Sequence, residues 1–251
     1  FAAFSTDKDS VCIGGAITFT DRSNALDGTV SQWYWNFGDG IRDSNVSVIT
    51  HAYPDTLVYT ASLYIVNSNG CRSDTASKAF PVYPYPVVSA GPDLKELEGG
   101  VVILQGVATG NDLKILWTPN LYLDNNRILR PRASNLLTDV TYRLTVTARG
   151  GCTASDDVFV KLLRMPRIPN TFTPNKDGIH DTWLIEYLDS YPDNRVQVFS
   201  RTGQVVFESH GYSTPWDGTY KGKPLPSDTY YYIIEPNNGR DPMTGYVTII
   251  R

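Results

Sequence analysis

One short loop has the residue types and spacing for chemistry. Asn175, Asp177 and Asp181 offer hard oxygens close together in sequence, with Gly178 among them. Oxygen ligands at short spacing suit calcium, and the glycine permits the sharp turn that a calcium loop needs. Asn and Asp at such places also accept hydrogen bonds from nearby backbone amides in Asx turns. The spacing is not that of an EF-hand. The Asx reading is preferred, so no cofactor is expected and calcium stays as the alternative. Asp39 and Asp43 pose the same question, and there a hairpin turn that uses Asp for positive φ is preferred.

Little else points to catalysis. The three histidines, His51, His180 and His210, are scattered, and no cysteine lies between the last two to complete a zinc set. The sequence has no His-Glu-x-x-His, no Gly-x-Ser-x-Gly elbow and no phosphate loop. The chain reads as non-enzymatic. A net charge of −4 provides no basic field for nucleic acid. No apolar run approaches the ~18 residues a membrane helix needs. Of the three cysteines, Cys12 and Cys71 lie near the start and end of one segment. A bridge between them is expected if the compartment is oxidising; two small buried thiols are the alternative. Cys152, after Gly150-Gly151, is expected to be free.

The elements that position these residues read as short strands. Tyr is abundant at 16, Met is scarce at 2, and 20 Gly and 16 Pro supply turns. Ala16–Thr20, Tyr59–Val66, Tyr142–Ala148 and Asp157–Val160 alternate or run as strands, as do Val196–Ser200, Gln204–Glu208 and Thr229–Ile234. Asp181–Ile185 is predicted to begin another. Trp33, Trp35 and Phe37 share one strand face, and Gly38-Asp39-Gly40 turns the chain. Pro81, Pro84 and Pro86 mark a linker. The fold class is all-β, three tandem Ig-like β-sandwich domains over 1–83, 84–163 and 164–251. Flexible joints are expected near Pro84 and Arg164. A start at Phe1 without Met is expected of a mature product or of the C-terminal piece of a longer protein.

Two stretches carry family resemblances. Trp35-Asn36-Phe37-Gly38-Asp39-Gly40 and His51-Ala52-Tyr53 look like a PKD domain, with Leu57-Val58 departing from the pattern before Tyr59. Residues 84–163 repeat the order of Trp strand, Tyr strand and Gly-Cys turn, and resemble a divergent PKD or Ig-like domain. The third segment is similar to the gliding-motility-associated, or type B, C-terminal sorting domain of type IX secretion cargo. The matching stretches are Phe172-Thr173-Pro174-Asn175-x-Asp177-Gly178-x-x-Asp181-Thr182, Phe199-x-Arg201-x-Gly203, Trp216-Asp217-Gly218, Gly222–Pro226, Thr229–Tyr232 and Gly245–Thr248. Each is weak alone, and together in this order they are specific. The family usually has Gly at Asp228, where Asp tolerates positive φ, and often Asn at His180.

The resemblance implies a secreted or cell-surface protein of Bacteroidota, exported across the outer membrane. Its last domain would be the signal read by the type IX translocon and an outer-membrane β-barrel of the PorP/SprF type. The upstream domains would be spacers. Trp35, Phe37, Asp39, Trp216, Asp217 and Gly218 are expected to be structural. Tyr230, Tyr231 and Tyr232 cannot all face inward, and Tyr231, Tyr246 and Arg251 are assigned to the partner contact. Two rival readings are a glycan- or protein-binding adhesin, which calls for a coplanar row of exposed aromatics, and an accessory region of a secreted hydrolase.

Overall fold

The computed structural model describes residues 1–251, and its regular elements are strands apart from two short 3-10 turns. Three apolar cores follow one another along the chain. The first gathers Val11, Ile17, Phe19, Trp35, Phe37, Tyr53 and their neighbours up to Val82. Alternation puts them there: Ile17 and Phe19 in Ala16–Asp21 are fully buried, while the residues between them are not. A five-stranded sheet, in the order Val11–Cys12, Ala76–Tyr83, Val58–Asn67, Val30–Asn36, Arg42–Ser44, faces a three-stranded one of Phe4–Thr6, Ala16–Asp21 and Val48–Ala52.

The second core runs from Ala90 to Leu162 around Trp117 and Tyr142. Its main sheet orders Leu94–Leu97, Thr153–Leu163, Val140–Thr147 and Lys114–Thr118, with two small two-stranded sheets beside it.

The third core runs from Leu163 to Ile249. Here one five-stranded sheet orders Thr171–Phe172, Met243–Ile249, Thr229–Glu235, Arg195–Phe199 and Val205–His210. The last strand is interior, antiparallel to Thr229–Glu235 and parallel to Thr171–Phe172. The opposite layer is mostly irregular chain. Asp181–Ile185, expected to open a strand, makes only a bridge between Trp183 and Trp216. Its bulk supplies core, with Trp183 and Ile185 buried, but no neighbour runs alongside to form a ladder.

The cysteines correct the expected pairing. Cys12 is bridged to Cys152, and Cys71 is the free, exposed thiol. Cys71 lies in the loop after Val58–Asn67, whereas Cys12 sits beside Tyr83 at the end of the first domain, where the second domain abuts. The joints also differ from the loose linkers expected. The first is crosslinked. At the second, the Tyr191 hydroxyl donates to the Arg164 carbonyl at 2.8 Å, the Met165 amide to Glu98 Oε2 at 2.9 Å, and Lys95 Nζ to Asn238 Oδ1 at 2.9 Å.

Candidate recognition surface of the last domain

Strand register decides which side chains of the last domain meet solvent. Along Thr229–Glu235, Tyr230 is buried and Tyr231 is 50% exposed. Its cross-strand partner is Tyr246, 53% exposed, and between neighbouring pairs Tyr230 faces Val247 inside. Phe199 lies opposite Tyr231 on the other side, and Val205 opposite Phe199. The four residues form one apolar row across the outer face of four strands. Arg195, hydrogen-bonded to Glu208 at 2.7 and 2.9 Å, lies farther along that face. Tyr231 and Tyr246, the two residues assigned from the sequence to a partner contact, are exposed and adjacent. Phe199 and Val205 complete the apolar row, and only the pairing of strands distant in sequence aligns them with Tyr231.

Gly245 has a packing reason. It lies opposite Tyr232, and a Cβ there would come 2.4 Å from the Tyr232 hydroxyl. The ring of Tyr232 thus folds over the bare backbone and reaches Trp183, centroids 5.2 Å apart.

The Trp216-Asp217-Gly218 turn is held from both sides. The Trp216 indole N–H donates to the Thr219 carbonyl at 3.0 Å, and Asp217 Oδ1 accepts from the Thr219 amide and hydroxyl. The acidic loop before it is an Asx network. Asp181 accepts from the Lys176 and Gly178 amides, and Asp177 from the Ile179 amide and the Asn175 side chain. The Asn175 side-chain hydrogen bond, with the Ile179 amide, holds the Asp177 carboxyl below its ordinary value. With these oxygens engaged, calcium titrated calorimetrically into the protein is expected to show no micromolar site. A tight site lost in Asp177→Ala would overturn the Asx reading. Of the two family departures, His180 sits at φ +54°, a conformation that suits Asn, whereas Asp228 is not among the positive-φ residues.

Arg251 is engaged differently from the expectation. Its guanidinium donates to the carbonyls of Leu225, Pro174 and Gly218 at 2.9, 2.8 and 3.2 Å. It ties three motif loops together, which gives it a bracing role within the domain.

In the first domain the Asp39 carboxylate accepts from His51 Nε2 at 2.6 Å and from the Ile41 amide at 3.0 Å. The imidazole stacks on Phe37 at 4.2 Å, and the Tyr53 hydroxyl donates to the Phe37 carbonyl. Phe37, Asp39, His51 and Tyr53 thus form one packed unit, and Trp35 is buried in the same core against Phe4 and Phe19. Burial opposes the charge of Asp39, but the hydrogen bonds from His51 and Ile41 outweigh it and hold the carboxyl below its ordinary value. The folded domain therefore takes up this proton less readily than the unfolded chain. The stability it contributes is present above the ordinary carboxylate pKa and is lost as pH falls through the lower folded value. Melting curves of wild type and Asp39→Asn are expected to differ at pH 7 and to converge at the acid end. Parallel curves throughout would remove this role. On the outer face of the same domain, Tyr34 stacks on Tyr64 at 4.6 Å and Arg72 covers Tyr64. These rings cover one another and do not form the coplanar row that a glycan platform calls for.

Residues 166–249 match the CHU_C Type IX secretion signal domain. Residues 2–82 match the PKD domain. A type IX secretion signal domain preceded by a PKD domain fits a secreted cargo protein carrying its own sorting signal, and the signal implies export to the cell surface. Domains of these kinds are typically non-catalytic. No helix is long and apolar enough to cross a membrane. Among solved structures, the chain is similar to the PKD1 domain of Vibrio anguillarum Epp at 24% identity, covering 33% of this chain and 90% of that one, TM-score 0.29. The PKD1 domain of the Vibrio cholerae metalloprotease PrtV follows at 22%, covering 32% and 93%, TM-score 0.29. The three N-terminal domains of the bacteriophage RB49 Hoc protein align over 99% of this chain and 97% of theirs at 8% identity, TM-score 0.38. No curated protein matches the chain.

Proposed function

We propose that the type IX secretion signal domain is read in its folded state by the translocon and by an outer-membrane β-barrel of the PorP/SprF type. Tyr231 and Tyr246 lie at the contact, and the two upstream domains serve as non-catalytic spacers. The observation that carries the reading is the row Val205, Phe199, Tyr231 and Tyr246 on the solvent face of the signal domain. Tyrosine and phenylalanine are favoured at protein interfaces, and charge is depleted at their centres. The polar groups around the row, Arg195 and Glu208 among them, suit a wetter rim.

The test is capture from solubilised outer membranes by the purified full chain, with the bound barrel identified by mass spectrometry. Tyr231→Ala with Tyr246→Ala removes two exposed rings without touching the core. Hot-spot aromatics contribute about 2 kcal/mol or more each, so capture is expected to fall at least tenfold. A double variant that captures the barrel like wild type would move the contact elsewhere. A wild-type chain that captures no barrel would end the reading.

A further inference from the structure

The Cys12–Cys152 bridge joins residues 140 apart in sequence, across the joint between the first two domains. The joint around it is packed. Cys12 pairs with Tyr83 in a parallel ladder, and the Ile13 amide donates to the Tyr83 carbonyl at 2.8 Å. The turn Arg149–Gly151 lies against the Tyr83 ring so closely that a Cβ on Gly150 would be 2.1 Å from it. Gly150 also holds φ +77°, which favours glycine.

We propose a mechanical function for this bridge: it carries tension past the first two domains and makes them an inextensible tether ahead of the secretion signal domain. Tension arriving from the N-terminal side meets Cys12 after one short edge strand, Phe4–Thr6. It crosses the disulfide to Cys152. It then leaves along Thr153–Leu163, a strand that is already extended. The residues between the two cysteines hang from this path as a closed loop and bear no load. Only the short N-terminal segment of the first domain and Thr153–Leu163 of the second remain in series with the pull, so unfolding the closed loop adds no length. The use of such a tether rests on the surface-protein reading above, since a protein held through its last domain is pulled from the other end. The mechanics do not depend on that reading.

The experiment stretches single full-length chains between handles ligated enzymatically at the two ends, leaving the cysteines untouched. Under non-reducing conditions the expected trace contains only the release of the short N-terminal segment and of the signal domain. Reduction, or Cys12→Ser, or Cys152→Ser, adds the closed loop to the extensible chain. At ~3.3–3.6 Å per residue, 140 residues add about 480 Å of contour length. Cys71→Ser should leave the non-reduced trace unchanged. Equal total extension with and without reductant overturns the proposal. So does non-reducing peptide mapping that finds Cys12 joined to Cys71. If a serine variant is unfolded at the outset, reduced wild type supplies the comparison. If the bridge resists the reductant, Cys152→Ser supplies it. Failure to capture an outer-membrane barrel would leave these traces untouched, so the two readings fail separately.

Discussion

A chain lacking Gly245–Arg251 is expected to lose its folded signal domain and to remain in the periplasm. The missing strand is interior, so its removal strips two neighbours at once. Thr229–Glu235 and Thr171–Phe172 both lose their ladder partner, and buried backbone groups without partners are costly. Val247 and Ile249 are fully buried, each stabilising by roughly 1.5–3 kcal/mol. Tyr246 and Ile250 are half exposed and add less. Arg251 takes with it the three carbonyl contacts that hold the motif loops. Set against the 5–15 kcal/mol that typically holds a domain together, the combined loss leaves little folded protein. Val247→Asp in a full-length chain tests the same core without shortening anything. Both variants should accumulate in the periplasm as protease-sensitive species, while wild type reaches the surface. If the truncated chain reaches the surface as well as the intact one, the folded signal domain is not what the machinery reads.

The alternation of apolar residues told most of the first and last sheets, because a half-buried strand displays its period in its own sequence. Val58–Asn67 and Thr229–Glu235 were legible for that reason. Parity required that either Tyr231 or its two neighbours face out, and the strand register puts Tyr231 outside. Three kinds of feature were not legible. Short edge strands such as Arg42–Ser44 and Leu94–Leu97 are too brief to show a period. The layer holding Trp183 follows no period, since its residues reach the core from irregular chain. The pairing of Cys12 with Cys152 depends on how two domains abut, through Tyr83 and Gly150, and spacing within one domain carries no trace of that. For the same reason the alignment of Phe199 with Tyr231 in the apolar row follows only from the order of strands.

Replacing Trp216 by Ala is expected to destabilise the signal domain by roughly 3–5 kcal/mol, the usual cost of emptying a large aromatic core site. The indole is 1% exposed and lies among Phe172, Phe207 and Tyr230, with centroids 5.4, 5.8 and 5.7 Å away. These come from three different strands of the sheet, while Trp216 itself lies in the irregular layer. It is therefore one of the few large side chains that hold the two layers together. Its carbonyl also accepts from the Trp183 amide at 2.7 Å, so the cavity opens beside the bridge that organises that layer. The surroundings are rings on separate elements, which close over a void poorly, and this favours the upper part of the range. Trp216→Phe keeps much of the volume and loses the hydrogen bond to Thr219, so its loss should be clearly smaller. Hydrogen exchange of the Thr229–Glu235 amides in the full chain reads the effect locally, without interference from the first two domains. Since 1.4 kcal/mol is a factor of ten, the alanine variant should raise the unfolded fraction of this domain by roughly two to four orders of magnitude. Export should fall with it and recover in part at lower temperature. Unchanged exchange would mean that the turn at Trp216 is not what joins the layers. Slowed export with unchanged exchange would place the indole in the contact with the secretion machinery instead.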